Sequence, residues 1–316
     1  MIVPSVAGGP RLRRLLDSLA DQTADHQVIV VDNGSAGAAV SRACEGYPSV
    51  ETLRLEANAG FSRAVNIAAE HAAEETLVLV NDDCICDPDF VSEIAAALDP
   101  AGDVVMAAGV MRDGRDPWLI ETAGIELDRT LLGFDYLNGV PVSRLDQGVP
   151  DPVAPSGAAA GFHRASFIRM GGFDEHLFAY WEDVDLGLRL WSAGARCALA
   201  SRARGTHEHS ATLGSGSARK NYLMGFGRGY VLRKWGVLTN PRRAVAALAR
   251  DVAVCAGQAM LDRNVEGVRG RVRGYVAARH TERYPVELPT GAADGALDSL
   301  RRRASRRARL RRSASG

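Results

Sequence analysis

Short apolar runs alternate with helical patterns through the first 110 residues, and this alternation constrains the fold more than any other feature. Buried strands are predicted around residues 1–3, 27–35, 50–56, 76–80 and 103–110. Helices are predicted between them from apolar residues at helical spacing, around residues 10–22, 36–46, 58–73 and 88–98. This β-α-β-α order predicts an α/β fold whose central sheet is mostly parallel and carries helices on both faces.

Polar residues directly follow several of these strands. Asp32 follows the run VIVV, Asn58 follows the third strand, and the run NDD at 81–83 ends the fourth. The carboxyl ends of parallel strands meet at one edge of a sheet, where the ligands of such sheets bind. The sequence therefore predicts that these side chains converge on one site.

The adjacent carboxylates of Asp82 and Asp83 raise a question, because burial costs each several kcal/mol without compensation. An ordinary turn or helix cap is one answer. A cation site is the other: Asn81 and Asp83 alternate outward from the strand end, and such oxygen ligands suit Mg²⁺ or Mn²⁺ shared with a substrate's phosphates. Asp32 also has two interpretations: it belongs to a plain turn, or it accepts a hydrogen bond from a nucleobase or ribose. A dinucleotide fold is disfavoured, because the first turn, PSVAGGP, lacks G-x-G-x-x-G.

A second acidic group opens the predicted helix in FAYWEDVDLGLRLW, residues 178–191. Glu182, Asp183 and Asp185 crowd its first turn, where the helix dipole favours anions. N-terminal capping accounts for one acid well and for three poorly. A carboxylate held against aromatic side chains is a good general base.

Two histidines in THEHSAT, residues 206–212, offer further ligands. His207 and His209 would share a face if the segment is a strand, and one of them could complete a metal site or donate to a phosphate. The alternative is a structural histidine.

Charge is unevenly distributed along a chain whose formal net charge is zero. Residues 241–316 hold 17 Arg and 7 acids, so residues 1–240 carry an acidic excess of ten. This asymmetry indicates an acidic, metal-using body and a basic end that meets anionic partners. The five scattered cysteines are interpreted as reduced packing residues. No apolar run approaches the roughly 20 residues of a membrane span, so no span is predicted, and the helix at 241–261 is judged too charged to be one.

The motifs VIVVDNGS, NAGFSRAVN, LVNDDC, GGFDEHLFAYWEDVDLGLRL and HEHSAT, in this order, resemble inverting family 2 glycosyltransferases of the GT-A fold. The likeness is greatest to bacterial rhamnosyltransferase-type enzymes of cell-envelope polysaccharide biosynthesis. It covers residues 1–235 and implies a nucleotide-sugar half (1–111) and an acceptor and catalytic half (112–235). A C-terminal helical extension (236–298) and an Arg-rich tail (299–316) follow.

The resemblance implies a role for each matching residue. Asp183 is expected to be the catalytic base, beside Glu182, and Asp83 and His207 the ligands of a Mg²⁺ or Mn²⁺ cofactor. The nucleotide-sugar pocket is expected to comprise Pro4, Asp32, Asn58, Gly60, Asn66, Asn81 and Asp82. Two departures from the family pattern are NDD in place of N-P-D, and Gly227 before Arg228 where relatives have Asn.

The expected reaction is metal-dependent, inverting transfer of a rhamnosyl or similar hexosyl unit from a nucleotide-diphosphate sugar to a glycan or lipid-linked acceptor. The alternatives are a sugar nucleotidyltransferase and a non-catalytic sugar-nucleotide or glycan-binding module. The expected location is cytoplasmic, peripheral at the inner face of the plasma membrane. The eight Arg of residues 301–312 would contact anionic lipid, and no nucleic-acid partner is expected.

Overall fold

A computed structural model describes residues 1–208 and 216–285 of the chain. The strands are β1 (Ile2–Ser5), β2 (Val28–Asn33), β3 (Val50–Leu55), β4 (Thr76–Val80), β5 (Cys84–Cys86), β6 (Val104–Asp113), β7 (Asp116–Thr122), β8 (Ile125–Leu127), β9 (Gly133–Asp135), β10 (Ala159–His163) and β11 (Arg196–His207). The helices are α1 (Pro10–Ala20), α2 (Ala39–Cys44), α3 (Phe61–His71), α4 (Phe90–Ala97), α5 (Arg164–Arg169), α6 (Glu182–Ser192), α7 (Ala218–Lys234), α8 (Pro241–Leu261) and α9 (Glu266–Ala277).

The main sheet has the strand order β3-β2-β1-β4-β10-β6-β11-β5, and β7 pairs with β6 outside this path. The first four strands are parallel, as the sequence predicts. The other half of the sheet is mixed, because β10 runs antiparallel between β4 and β6 and β11 runs parallel to β6. The parallel half brings the carboxyl ends of β1, β2 and β4 to the same edge.

Two hydrophobic clusters cover the two faces of the sheet. Alternate side chains of β1, β2 and β4 point to opposite faces, so Val3, Val30 and Val78 join the leucines of α1 in one cluster. Ile2 and Leu79 join the other cluster, with α3, α5 and α6. This arrangement confirms the prediction of an α/β fold with helices on both faces.

Local geometry departs from the sequence prediction at two helix starts. Left-handed Gly37 and Ala38 break the helix predicted around 36–46 into a short 3₁₀ turn and α2. The next helix, predicted around 88–98, begins only at Phe90, with Asp89 as its N-cap.

Residues 112–155 form an excursion from the main sheet. β7 returns antiparallel beside β6, and β8 and β9 form a small separate sheet. The apolar side chains of β8 pack with those of α6 and α7. This excursion adds acidic residues to the site described below.

The C-terminal helices pack on the catalytic half of the chain. Ala247 of α8 and Ala278 belong to the same hydrophobic cluster as Leu188 of α6 and Tyr230 of α7. This cluster crosses residue 235, where the extension was predicted to begin. The division into domains, with its boundary at residue 235, remains a prediction from the sequence.

One helix of the described residues, α8, is long and apolar enough to cross a membrane, by length and composition alone. The sequence prediction that no segment approaches this length was wrong by this criterion, because it relied on Arg250 and Asp251, which interrupt the apolar residues of the helix. Only 11% of the helix window is buried.

Candidate active site

A cavity of about 520 Å³ opens at the carboxyl ends of the parallel strands. It collects residues from ten separate stretches of the chain, which supports the predicted convergence. The lining residues are Pro4, Ser5, Val6, Asn33, Asn58, Phe61, Asn81, Asp82, Asp83, Glu121, Thr122, Asp135, Ser156, Gly157, Ala158, Phe178, Ala179, Tyr180, Glu182, Asp183, His207, Arg219 and Lys220.

The adjacent acids at the end of β4 face different partners. The Ser5 hydroxyl of β1 donates a hydrogen bond to Asp82, and burial raises the pKa of this carboxyl. Asp83 is buried and accepts a hydrogen bond from His207 Nε2 at 2.9 Å. The repulsion between the two carboxylates is thus offset by a hydroxyl on one side and an imidazole on the other.

A buried cluster of Asp83, His207 and Glu121 lies at one end of the cavity. His207 ends β11, and its Nδ1 atom lies 3.1 Å from Glu121 Oε2 of β7. Burial lowers the pKa of His207, but its hydrogen bonds to Asp83 and Glu121 and their charges outweigh this and raise the pKa to about 10. The imidazole therefore carries a proton between two carboxylates, in a place where a cation is electrostatically favoured.

The chemistry of this cluster fits a hard divalent cation. One ligand atom each of Asp83, Cys84 and His207 lies within 4.8 Å of the others. Carboxylate oxygen and imidazole nitrogen suit Mn²⁺ or Mg²⁺, whereas thiolate suits softer metals. Burial raises the pKa of Cys84 well above its usual range, so its thiol stays neutral. Asp83, His207 and Glu121 are therefore the better ligand set, and metal would replace the imidazole proton.

The acids of the second group diverge at the start of α6. Asp183 lies partly buried on the cavity wall, where Oδ2 accepts from the Gly157 amide at 3.3 Å and Oδ1 from the Val184 amide at 2.8 Å. Burial raises the pKa of Asp183 to about 6. This carboxyl is held in place and ionised at neutral pH, as a general base must be.

Glu182 has a different environment from its neighbour. It is buried, and its Oε2 atom has no hydrogen-bond partner within 1–208 and 216–285. Burial and the charge of Asp183 raise the pKa of Glu182 well above its usual range. Two backbone amides orient the Asp183 carboxylate while Glu182 Oε2 has no such donor, so the geometry favours Asp183 as the base.

Asp185 is fully buried behind the cavity and has a structural role. Its carboxylate accepts from Arg189 Nε at 2.8 Å, from Lys234 Nζ at 2.9 Å and from Trp235 Nε1 at 3.1 Å. Lys234 also donates to Asp174 at 2.8 Å. These bonds fix the first turn of α6 to the end of α7.

We expect Lys234→Met to lower the free energy of unfolding by about 3 kcal/mol, because it leaves the buried carboxylates of Asp185 and Asp174 without their shared cation. Urea denaturation measures the change. Arg202→Met is the matched control, since Arg202 is 77% exposed in its 3.0 Å pair with Glu93 and such a pair contributes at most about 1 kcal/mol. Equal losses in the two variants would contradict the proposed role of the buried network.

The backbone before α6 is strained. Tyr180 and Trp181 have φ values of 70° and 75°, in the left-handed region that bulky residues rarely adopt. The Trp181 ring packs directly on Gly227 of α7, where any Cβ atom would collide with it, and lies under the Arg228 guanidinium at 5.7 Å. Such strain persists where the surrounding packing fixes it, commonly at functional sites. Gly227 therefore has a packing reason to replace the Asn of the family pattern.

The Arg228 side chain binds α8 and does not line the cavity. Its guanidinium is fully buried, lies 3.2 Å from both oxygens of Asp251 and donates to the Thr130 carbonyl at 2.8 Å. Arg219 and Lys220, at the start of α7, do line the cavity. They lie 5.8 Å and 5.5 Å from the ring centres of Phe178 and Tyr180.

The residues expected in the nucleotide-sugar pocket take three positions: four line the cavity, two support its wall, and Asn66 lies away from it. Pro4, Asn58, Asn81 and Asp82 line the cavity. Asp32 and Gly60 support its wall, as Asp32 accepts from the Ser35 amide and the Ser41 hydroxyl and Gly60 accepts from Asn33.

Asn66 lies away from the cavity wall. Its amide donates to the Phe173 carbonyl at 2.9 Å and accepts from the Phe173 amide at 2.8 Å. Both polar atoms of its side chain thus connect α3 to the segment before α6, and the pocket role of Asn66 stays a prediction from the sequence. His209 lies outside the described residues.

Sequence reasoning missed Glu121, Asp135 and Lys220. Glu121 had a usable signal, since an acid directly follows the apolar run WLI, much as polar NDD follows the apolar residues of β4. Asp135 and Lys220 had none, because their proximity depends on the return of β9 and α7 to the cavity.

Comparison with known proteins matches residues 1–167 to the family model for glycosyl transferase family 2. The chain is 28% identical over 234 residues to the N-acetylglucosaminyl-diphospho-decaprenol L-rhamnosyltransferase of Mycobacterium tuberculosis, covering 61% of this chain and 70% of that protein. It is 28% identical over 229 residues to the O-antigen biosynthesis protein RfbC of Myxococcus xanthus, which covers 67% of this chain but only 17% of the relative.

Two solved glycosyltransferase structures share the fold at low sequence identity. GalNAc-T7 with UDP, GalNAc and Mn²⁺ superposes with a TM-score of 0.57 at 15% identity, over 74% of this chain and 47% of that one. The mannosyltransferase PcManGT from Pyrobaculum calidifontis, in complex with GDP-Man and Mn²⁺, gives 0.51 at 19% identity, over 88% and 84%. With the fold and more than half of the sequence in agreement, the chain belongs to glycosyl transferase family 2 and has the GT-A fold.

Proposed function

We propose that this glycosyltransferase moves a rhamnosyl or similar hexosyl unit from a nucleotide-diphosphate sugar to a hydroxyl of a glycan or lipid-linked acceptor, with inversion and with a divalent cation. The observation that carries the proposal is the shared cavity, which holds the carboxylate of Asp183 and the buried cluster of Asp83, His207 and Glu121. A rhamnosyl donor is favoured by the likeness to the mycobacterial rhamnosyltransferase.

The donor nucleoside is assigned to the end of the cavity formed by β1, β2 and the loop before α3. Pro4 and Asn58 line this end, and buried Asp32 holds the turn beneath it through Ser35 and Ser41. Hydrogen bonds and the charge of Arg54 outweigh burial and lower the pKa of Asp32. This carboxylate keeps its charge and fixes the turn that borders the nucleoside.

The diphosphate is assigned to the buried cluster of Asp83, His207 and Glu121, together with Lys220. Asp83, His207 and Glu121 would hold Mg²⁺ or Mn²⁺, whose role when bound is to neutralise the charge that develops on the leaving diphosphate. Burial lowers the pKa of Lys220 while the charges of Asp135 and Glu121 oppose the shift. Lys220 and Arg219 would add positive charge to this otherwise acidic cavity.

Asp183 is assigned the proton transfer. Its carboxylate would take the proton of the acceptor hydroxyl as that oxygen attacks the anomeric carbon, and the bond from this carbon to the diphosphate oxygen breaks on the opposite face. The Gly157 and Val184 amides hold Asp183 in one orientation during this step. A single displacement inverts the anomeric configuration.

The acceptor and the cellular site are proposed from the relatives. One of them is named for a decaprenol-linked substrate and another for O-antigen biosynthesis, so a lipid-linked or glycan hydroxyl of cell-envelope polysaccharide synthesis is the proposed acceptor. The proposed location is cytoplasmic and peripheral at the inner face of the plasma membrane. The Arg-rich tail (299–316), proposed from the sequence to contact anionic lipid, lies outside the described residues.

A product assay tests the proposal. The chain is first screened by thermal shift against nucleotide-diphosphate sugars with Mn²⁺ or Mg²⁺, and the stabilising donor is then incubated with a lipid-linked or short glycan acceptor. Glycosylated acceptor and free nucleoside diphosphate are expected in equal amounts. Pyrophosphate as the product would indicate a sugar nucleotidyltransferase, and donor binding without any product would indicate a non-catalytic binding module.

A further inference from the structure

Helix α8 has its apolar side chains on the outside, which is the reverse of the arrangement expected for a helix that faces water. Its buried positions are Ala247 and the charged Asp251, while Val245, Leu248, Val252 and Met260 are 70%, 54%, 68% and 74% exposed. These four side chains recur at helical spacing and form an apolar stripe along the outside of the helix. Surface helices of globular proteins have the opposite arrangement, with their apolar stripe facing the core.

Helix α9 repeats this arrangement. Val268, Val272 and Val276 lie four residues apart and are 45%, 60% and 47% exposed. Its buried positions are the glycines 267, 270 and 274. We call the outward residues Val245, Leu248, Val252, Met260, Val265, Val268, Val272 and Val276 of the two helices the α8–α9 apolar face.

The inner contacts of α9 need no large apolar side chains. A Cβ atom added to Gly270 or Gly274 would collide with the backbone of α7 at Tyr222 or Phe226, and one added to Gly225 of α7 would collide with Gly267. Helix backbones that touch through small residues are typical of packing in membranes, where apolar side chains are free to face lipid.

The surroundings of the apolar face are basic. Residues 241–280 contain eight Arg and three acids. The most buried of these acids, Asp251, pairs with Arg228 and Arg271. Arg242 of α8, Arg263 of the connecting loop and Arg273 of α9 are exposed. Apolar residues flanked by arginine are the pattern of helices that lie in the interface of an anionic membrane.

The positive charge around the α8–α9 apolar face disfavours a second copy of this chain, or its own Arg-rich tail, as the partner of this face. A second copy of the same face would bring like charges together, and the tail of this chain carries eight further Arg in residues 301–312. The body of a second copy offers few apolar matches, since its exposed large hydrophobic side chains within 1–208 and 216–240 are Ile85, Trp118, Ile168 and Met224, on separate elements. An anionic lipid surface supplies both the apolar interior and the complementary charge.

The buried ion pair of α8 decides between lying on a membrane and crossing it. Asp251 binds the fully buried Arg228 of α7 at 3.2 Å and Arg271 of α9 at 3.1 Å. A spanning α8 would have to break these pairs and carry Arg250 and Asp251 into hydrocarbon, where each charged residue is strongly disfavoured. With the pairs intact, α8 stays against α7.

We propose that the α8–α9 apolar face is a membrane-docking surface that lies in the headgroup region of an anionic bilayer, with α7 and the catalytic half on its water side. This docking does not depend on which sugar is transferred. It differs from the predicted role of the tail, because the contact is made by folded helices that pack on the catalytic half.

Vesicle sedimentation of the full chain tests the proposal. Binding to phosphatidylcholine vesicles is compared with binding to vesicles that also contain phosphatidylglycerol, at low and high salt. We expect the double substitutions Leu248→Ser with Val252→Ser, and Val268→Ser with Val272→Ser, each to reduce the partition onto anionic vesicles by at least about tenfold. Trp118→Ser on β7 removes an apolar side chain that is 81% exposed and should leave it unchanged.

Three results would overturn the proposal. The first is a wild-type chain that does not sediment with anionic vesicles at low salt. The second is equal sedimentation of the wild type and both face variants, in which case a further variant without residues 299–316 shows whether the tail is the anchor. The third is a wild-type dimer in sedimentation equilibrium that the face substitutions dissociate without any change in vesicle binding. Unchanged urea midpoints in the face variants confirm that they are folded.

Discussion

Asp183→Asn is expected to lower turnover by roughly 10²–10⁴-fold while leaving donor binding nearly intact, because a positioned general base contributes about this much to the rate. The Asn side chain keeps the shape of Asp183 and an oxygen that accepts from the Gly157 or Val184 amide. Only the ability to take up the acceptor proton is lost. Steady-state kinetics with a saturating acceptor measures the change in turnover, and calorimetric titration measures donor binding.

Glu182→Gln is the matched control for this variant. Glu182 adjoins Asp183, but burial raises the pKa of its carboxyl and so disfavours its charged form, which makes the neutral amide a small change at this position. We expect its turnover to fall much less than that of Asp183→Asn. Near-normal turnover in the Asp183 variant would remove Asp183 from the mechanism.

The pH profile supplies an independent test of the same carboxyl. Since burial raises the pKa of Asp183 to about 6 and the base acts in its ionised form, turnover should be constant above this pH and fall as the pH decreases through it. The loss approaches tenfold per pH unit at lower pH. Asp183→Asn should lose this acidic limb, and a limb that persists unchanged in the variant would contradict the assignment.

Removal of the divalent cation is expected to abolish transfer, and Asp83→Ala to lower turnover by about 10²–10³-fold, the range found when one group that stabilises developing charge is lost. Asp83 lies against His207 in the buried cluster, whereas its neighbour Asp82 is hydrogen-bonded to Ser5. Asp82→Ala is therefore the control and should weaken metal-dependent donor binding less.

Glu121→Gln extends this test to a residue that sequence reasoning missed. Its Oε2 atom lies 3.1 Å from His207 Nδ1, so removal of its charge should raise the Mn²⁺ concentration that gives half-maximal activity. Titration of activity with Mn²⁺ measures this shift in all three variants. Full activity in excess chelator, or an Asp83→Ala variant that titrates like the wild type, would refute the metal assignment.

Much of the donor half could be predicted because its information is local. The strand Thr76–Val80 has the bounds that the sequence predicts, and α1 buries the four leucines of its periodic pattern. Convergence of Asp83 and Asn58 followed from one topological rule, that parallel strands share a carboxyl edge.

The remaining parts of the site depend on long-range contacts that periodicity does not encode. Asp185 was read with Asp183 as one acidic group, but Lys234, 49 residues later, makes it structural. Asn66 was assigned to the pocket, although its helix turns it toward Phe173, 107 residues away. A side chain's role was predictable where its own strand fixed its direction, and not where a distant partner did.

Helix α8 shows the same limit in a different way. Its bounds were read correctly from Pro241 to Leu261, but the sequence could not show which face is buried. That choice is made by the ion pair between Asp251 and Arg228 of α7, which draws the polar side of the helix inward. The exposed apolar side is the consequence.

The anomeric configuration of the product tests the central claim most directly, because a base at Asp183 opposite the leaving diphosphate permits only a single displacement. Proton NMR of the purified product, with the donor's configuration known, measures it. We predict one nucleoside diphosphate for each sugar transferred and an anomeric configuration opposite to that of the donor. A product that retains the donor's configuration, or one formed with release of pyrophosphate, would contradict the claim.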